Sequence, residues 1–385
     1  MPANSMFEFL QTFSNRFIGH QTHHVESPTL VIFGGIHGNE QAGVKALQKV
    51  CDYIEDHQIP LKGNFYAIKG NLQALERNER YIDLDLNRLW TEEVMQDFAN
   101  LQESDAAELK EAIELKAVIK EILDAHSGPF YFLDIHTTSS FSTPFITISD
   151  SLNNRRFAAK FNIPTVLGIE EYLEGPLLTY LNEFGHVSLG FEAGQHKEES
   201  SVMNSIDFIW KSLRFSNCIS KQHFKSFERR KLQKHPISIF FHIVYRYSIQ
   251  PNERFFMRKG YTNFKNIKKG TPLALSNGSS INSPCNGFIF MPLYQKQGND
   301  GFFIVCKISL FWMGLSILLR KLDLHFALPI LPGVRRLDVY TLQVDPKITL
   351  FFSEQIFHLL GYRKKVKKEG FWQYTRRDRK IKPFQ

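Results

Sequence analysis

Apolar runs of strand length alternate with helical periodicity through the first 215 residues. Runs at 29–33, 64–68, 130–135 and 186–192 read as strands, and apolar positions three and four apart predict helices at about 39–56 and 103–125. The second helix is the clearer of the two. Leu109, Ala112, Ile113, Ile119, Ile122 and Leu123 share one stripe, Lys110, Glu111, Glu114 and Glu121 fall mostly off it, and Ser127, Gly128 and Pro129 end it. Such alternation predicts an α/β layered domain over residues 1–215. The polar, basic stretch 216–235 reads as a linker. Short β-rich runs such as "ISIFFHIVYRYSI", punctuated by turns such as "LSNGSS" and "NSPCNG", predict a small β domain over 236–306. The pattern from 307 to 385 predicts a helical C-terminal extension ending in a basic tail.

In open α/β sheets the loops after strands carry the functional groups, because the backbone turns away there and leaves a crevice. Three polar clusters stand in that position, "GGIHGNE" at 34–40, "DIHTTSS" at 134–140 and "GFEAGQH" at 190–196. A fourth, "RYIDLDLNR" at 80–88, follows the strand at 64–68 at a short distance. A catalytic zinc takes three His, Glu or Asp ligands and keeps one position open. His37 and Glu40 could supply two from one turn, and His136 a third. Asp85 and Asp134 are candidates to fix the tautomers of the imidazoles.

With these four motifs in order, the sequence resembles the succinylglutamate desuccinylase and aspartoacylase family of zinc carboxypeptidase-like hydrolases. The resemblance covers about 28–215 and extends into the β segment through "FKNIKKGTPLA" and "GFIFMPLYQKQGNDGFF". It implies a three-layer sandwich around a mixed sheet and one Zn²⁺ per chain, held by His37, Glu40 and His136. It also implies Arg80 facing the scissile carbonyl, Asn87 and Arg88 clamping a substrate carboxylate, and Glu192 as general base toward a zinc-activated water. The implied activity is deacylation of an N-acyl amino acid or related small acylated amine. A metallocarboxypeptidase acting on short peptides is the alternative, since the same ligands and clamp serve both. A non-catalytic binding protein on the same fold is the second alternative, but it has no need of so complete a set. Family members that recognise a second substrate carboxylate use an arginine before the catalytic glutamate. Here no arginine occurs between Arg156 and Arg214, and the stretch contains Tyr180 and Asn182 instead. This points to a substrate with a single carboxylate. Tyr294 is the candidate for the family's substrate-binding tyrosine.

Composition changes this picture little. The 385 residues are 43% hydrophobic, enough for sizeable cores. The net charge of +8 belongs to the end of the chain, where ten Lys or Arg from Arg363 onward face only Glu369 and Asp378, leaving 37 of each sign elsewhere. A solvated tail is the expectation, with contact to nucleic acid or an acidic surface as the sharper alternative. Four scattered cysteines without a zinc or disulfide pattern, and no leader-like N-terminus, suggest a cytoplasmic protein. The longest apolar run, 308–319, has 12 residues and is too short to span a bilayer. The oligomeric state is not legible.

Overall fold

The computed structural model describes residues 9, 11–97, 106–225, 239–349 and 353–384. Its strands are β1 (Phe17–Gln21), β2 (Thr29–Gly34), β3 (Asn64–Lys69), β4 (Phe130–Thr138), β5 (Phe145–Ile148), β6 (Thr165–Leu167) and β7 (Val187–Gln195). These are followed by β8 (Phe240–Ser248), β9 (Phe255–Met257), β10 (Asn266–Ile267), β11 (Pro272–Ser276), β12 (Ser279–Asn282), β13 (Gly287–Phe290) and β14 (Asp300–Lys307). Eleven of them form one mixed sheet in the order β1-β3-β2-β4-β7-β5-β6-β8-β14-β13-β10. The centre, β3-β2-β4-β7, is parallel.

Strand β2 shows why the sheet is sandwiched. Leu30, Val31, Ile32 and Phe33 are all fully buried, as a parallel strand covered on both faces requires. Leu30 and Ile32 enter one core, against the Gln41–Asp56 and Glu199–Phe215 helices, whereas Val31 and Phe33 enter the other, against the Ala107–Ala125 helix. The architecture is thus the expected three-layer α/β sandwich.

The β segment departs from the reading as a separate small domain. β8 pairs in parallel with β6, and β14, β13 and β10 continue the same sheet, leaving only β9, β11 and β12 as a sheet of their own. The reason is a shared core. Phe145 and Val166 of the first part pack with Phe241, Ile243, Phe290 and Phe303 of the second. Of the predicted linker, the structure describes the start, including the short Lys221–Lys225 helix. Residues 226–235, and the predicted start at 236, lie outside the described residues.

The C-terminal extension is less helical than its sequence suggests. It contains the Leu310–Lys321 and Ser353–Leu359 helices, but also β15 (Val334–Arg336), β16 (Thr341–Val344), β17 (Tyr362–Lys368) and β18 (Phe371–Arg376), an antiparallel sheet in the order β15-β16-β18-β17. The tail expected to be solvated is largely strand, and Arg363 and Arg377 within it are buried. Its charge has partners far away in sequence. Asp150 binds Arg155 through Oδ1 at 2.5 Å, and through Oδ2 it binds Arg320 Nη2 at 3.1 Å and Arg363 Nε at 3.0 Å. Arg363 also reaches Glu171 at 2.9 Å, and Arg377 reaches Glu183 at 3.3 Å. Buried arginines hold the extension onto the sandwich because each finds a carboxylate there. Among the described residues, no helix is long and apolar enough to cross a membrane.

Candidate active site

The predicted site residues gather in one cavity of about 1140 Å³ at the C-terminal ends of β2, β4 and β7. His37, Glu40, Arg80, Asn87, Arg88, His136 and Glu192 all line it. His37 and Glu40 occupy the turn that leaves β2 and enters the Gln41–Asp56 helix, with Glu40 N donating to His37 O at 3.1 Å. Gly38 between them has no room for a side chain, since a Cβ would sit 2.0 Å from the backbone of Ala74. This close approach explains the glycine of the motif and fixes the direction of His37.

Glu40 lies between two imidazoles. Its Oε1 is 2.9 Å from His37 Nδ1, and its Oε2 is 3.1 Å from His136 Nδ1 and accepts Thr137 N at 2.8 Å. The far nitrogens face carboxylates, His37 Nε2 being 3.0 Å from Asp85 Oδ1 and His136 Nε2 2.5 Å from Asp134 Oδ2. A proton on His136 Nε2 directed at Asp134 leaves its Nδ1 free as a ligand, whereas His37 Nε2 faces both Asp85 and the Nη2 donor of Arg80 at 2.9 Å. The ligand atoms of His37, Glu40 and His136 lie within 4.8 Å of one another. Two nitrogens and a carboxylate in that space suit zinc. A second such grouping among the described residues, Glu171, Glu354 and His358, has Glu171 already tied to Arg363.

The charges are interlocked. Burial alone would raise Glu40, but His37 and His136 hold it well below the ordinary carboxylate range. For His136, burial acts downward and is overcome by Asp134 and Glu40, which hold it well above the usual imidazole value. Glu192 behaves oppositely. Burial, reinforced by Glu40 and Asp134, pushes it up to about 8 against the pull of His136 and Arg80. Its Oε2 has no hydrogen-bond partner. Glu192 is aligned with His136 in the β4–β7 register, which slips immediately afterward, between His136 and Thr138. That irregularity, at the rim of the sheet, re-aims the strand next to the site.

The 80–88 loop is anchored by a residue that the sequence did not single out. Glu108, fully buried at the start of the Ala107–Ala125 helix, accepts the backbone N–H groups of Ile82 at 2.6 Å and of Asp83 and Leu84 at 3.0 Å, and the side chain of Asn71 at 2.9 Å. A carboxylate taking several N–H donors is a strong local anchor. The loop then delivers Arg80, whose Nη2 donates to Asp85 Oδ2 at 3.1 Å. Arg80, with its side chain 13% exposed, is no surface ion-pair partner, and Asp85 and Glu40 outweigh its partial burial to hold its pKa up. Asn87 uses its Oδ1 to accept Leu177 N at 3.0 Å, so only its Nδ2 is available to a ligand.

Arg88 does not stand alone. Its Nη2 is 3.6 Å from Asp300 Oδ2, and Arg246 Nε binds the other oxygen of Asp300 at 2.6 Å. Arg246 comes from β8 and lines the same cavity. Sequence reasoning looked for a second cation only in the segment before Glu192 and so missed it; an arginine among strand residues carries no local signal. His196, given no role from sequence, also lines the cavity, its Nδ1 2.7 Å from Thr137 Oγ1 and its Nε2 3.1 Å from Gln295 Oε1. Tyr180 lines it too, whereas Asn182 is buried against Ser151 and His186. Tyr294 is elsewhere. Its hydroxyl donates to Arg258 O at 2.7 Å, outside the residues lining the cavity. The outer wall belongs to the C-terminal extension, through Thr341, Gln373, Thr375, Arg377 and Arg379.

Residues 26–207 match the model of the succinylglutamate desuccinylase/aspartoacylase catalytic domain. A succinylglutamate desuccinylase of Photorhabdus laumondii is 30% identical over 141 residues, 36% of this chain and 42% of that protein. An N-acyl-aromatic-L-amino acid amidohydrolase of Xenopus laevis is 35% identical over 113 residues, 29% of this chain and 34% of the relative. The chain therefore spans less than half the length of these curated relatives. Among solved structures, the succinylglutamate desuccinylase of Vibrio parahaemolyticus matches with a TM-score of 0.56 at 16% identity, covering 75% of this chain and 84% of its own. Murine aminoacylase 3 matches at 0.51 and 17% identity, over 74% of this chain and 97% of its own. Both share the fold. With the family model lying across all four motifs, residues 26–207 belong to the succinylglutamate desuccinylase/aspartoacylase family of catalytic domains.

Proposed function

We propose that the protein is a zinc-dependent deacylase that hydrolyses the amide of an N-acyl amino acid carrying one free carboxylate. The observation that carries this reading is the convergence of His37, Glu40, His136, Arg80 and Glu192 on one cavity. Relatives named for desuccinylation and for N-acyl-aromatic amino acid hydrolysis support the same reaction class. Zn²⁺ bound by His37, Glu40 and His136 would lower the pKa of a water and polarise a carbonyl.

The chain's own groups supply the remaining steps. Glu192 takes a proton from the attacking water and returns it to the leaving nitrogen. Burial raises the basicity of the Glu192 carboxylate, which favours its taking the proton. Arg80 donates to the carbonyl oxygen as negative charge grows there, so it favours the transition state over the bound substrate. Arg88 and Asn87 Nδ2 hold the substrate carboxylate.

Charge counting supports a single carboxylate. At the clamp itself, Arg88 and Arg246 share Asp300, which leaves one net positive charge there for the ligand. Trp90, Leu178 and Tyr180 line the same cavity and favour an apolar group elsewhere on the substrate. Replacing Arg88 by Ala is expected to raise KM about 10- to 100-fold with little change in kcat, the loss of a charged hydrogen bond that substrate and transition state share. Steady-state kinetics on N-acyl amino acids measures it, and a fall in kcat at constant KM would contradict the assignment. Assay of a panel of N-acyl amino acids and short peptides separates deacylase from carboxypeptidase. Turnover of peptides alone would establish the peptidase reading instead.

A further inference from the structure

His196 takes no part in the reaction steps above, yet it is the central link of a polar circuit around the proposed metal site. Its imidazole bridges two side chains, with Nδ1 2.7 Å from Thr137 Oγ1 and Nε2 3.1 Å from Gln295 Oε1. The same Gln295 oxygen accepts Asn39 Nδ2 at 3.2 Å. An amide oxygen only accepts, so His196 carries a proton on Nε2, and in the neutral ring Nδ1 accepts the Thr137 hydroxyl. Burial lowers the His196 pKa and so favours this neutral form. The backbone adds a parallel tie, His196 N donating to Thr138 O at 3.1 Å.

The circuit closes on the ligands themselves. Asn39 immediately precedes Glu40, and Thr137 immediately follows His136. Thr137 N donates to Glu40 Oε2 at 2.8 Å. The turn after β2, which carries His37 and Glu40, is therefore tied twice to the end of β4, which carries His136: directly through Thr137 N, and again through Asn39, Gln295 and His196. Gln295 comes from the connection between β13 and β14, so the β segment takes part in holding the two ligand-bearing loops together. Thr137 sits in the gap of the β4–β7 register, between the His136–Glu192 and Thr138–Gln195 pairs. The regular ladder is interrupted there, and the His196 side chain supplies the lateral hold that the ladder would otherwise give. Groups that orient metal ligands without touching the metal change its affinity, because they hold the ligand atoms at the spacing the ion needs.

We propose that His196 is a positioning residue for the metal: by tying Thr137 to Gln295 it holds Glu40 and His136 at the separation zinc requires, a role that rests on the zinc reading above. The test is the Zn²⁺ dissociation constant of the full-length protein, measured by competition with a chromophoric chelator. His196→Ala is expected to weaken zinc binding about 10- to 100-fold, and Thr137→Val, which removes the hydroxyl and keeps the backbone N–H, should do the same. Gln295→Ala should also weaken it, and the His196→Ala/Gln295→Ala double variant should bind no more weakly than His196→Ala alone, because the two side chains act through one connection. The rise in melting temperature on adding zinc should shrink in the same variants, since a ligand stabilises the folded state according to how tightly it binds. Wild-type affinity in His196→Ala and Thr137→Val, losses that add in the double variant, or an unchanged zinc-induced rise in melting temperature would overturn the positioning role and leave the zinc reading standing. Wild-type protein that binds no zinc would overturn both.

Discussion

Glu192→Gln is expected to lower kcat about a thousandfold while leaving zinc content unchanged. The magnitude is that of a lost general acid–base group, typically 10²–10⁴. Retention of metal follows from the geometry, because the ligand atoms that approach one another come from His37, Glu40 and His136 and not from Glu192. The amide keeps the shape of the side chain and removes only its ability to take a proton. KM should move little, since the proposed clamp on the substrate carboxylate is Arg88 and Asn87 and not Glu192. Metal analysis and steady-state kinetics on one preparation check both halves, and a variant within tenfold of wild type would remove Glu192 from the proton transfer.

The second large effect concerns the attachment of the C-terminal extension. Asp150→Asn is expected to destabilise the protein by about 3–5 kcal/mol, the cost of leaving buried charge uncompensated. Asp150 is fully buried and is the shared partner of Arg155, Arg320 and Arg363. Burial, together with Arg320 and Arg363, drives Arg155 down to about 10 even with Asp150 beside it, so loss of the carboxylate leaves Arg155 unpaired beside two guanidiniums that keep only Asp378 and Glu171. Urea unfolding reads the change as a lower midpoint. A pH dependence accompanies it. Burial alone would raise Asp150, but Arg155, Arg320 and Arg363 hold it well below the ordinary carboxylate range. A depressed folded-state pKa gives stability that is fully present above the unfolded value of about 3.9 and is lost as the pH falls toward the folded value. The gap between wild type and Asp150→Asn should therefore be constant near neutrality and shrink only below about pH 4. A gap that widens on acidification would contradict the assignment.

The elements legible in the sequence are those whose signal is local. The four strands read from the sequence are rich in apolar residues because the sheet buries both of their faces, and the turns after them carry the polar motifs. Strands β5 and β6 escaped notice because three or four buried residues make no period. The roles of Glu108 and Asp150 could not be read along the chain, since each joins groups distant in sequence: Glu108 accepts from residues 24–26 positions earlier, and Asp150 meets Arg320 and Arg363 170 and 213 positions later. For the same reason the terminal run of Lys and Arg looked solvated. Its carboxylate partners lie on the sandwich, so part of the run folds into β17 and β18 and walls the cavity instead. Arg246 illustrates a further limit. Its importance comes from sharing Asp300 with Arg88, a relation that only the pairing of β8 with β14 creates.

The proposed reading rests on metal, and metal content tests it most directly. Protein purified from zinc-supplemented medium and analysed by inductively coupled plasma mass spectrometry should carry about one zinc per chain, the stoichiometry of a three-ligand catalytic site. The His37→Ala/Glu40→Ala double variant should carry none and be inactive. Metal-free wild-type protein, or a double variant that keeps its zinc, would contradict the account.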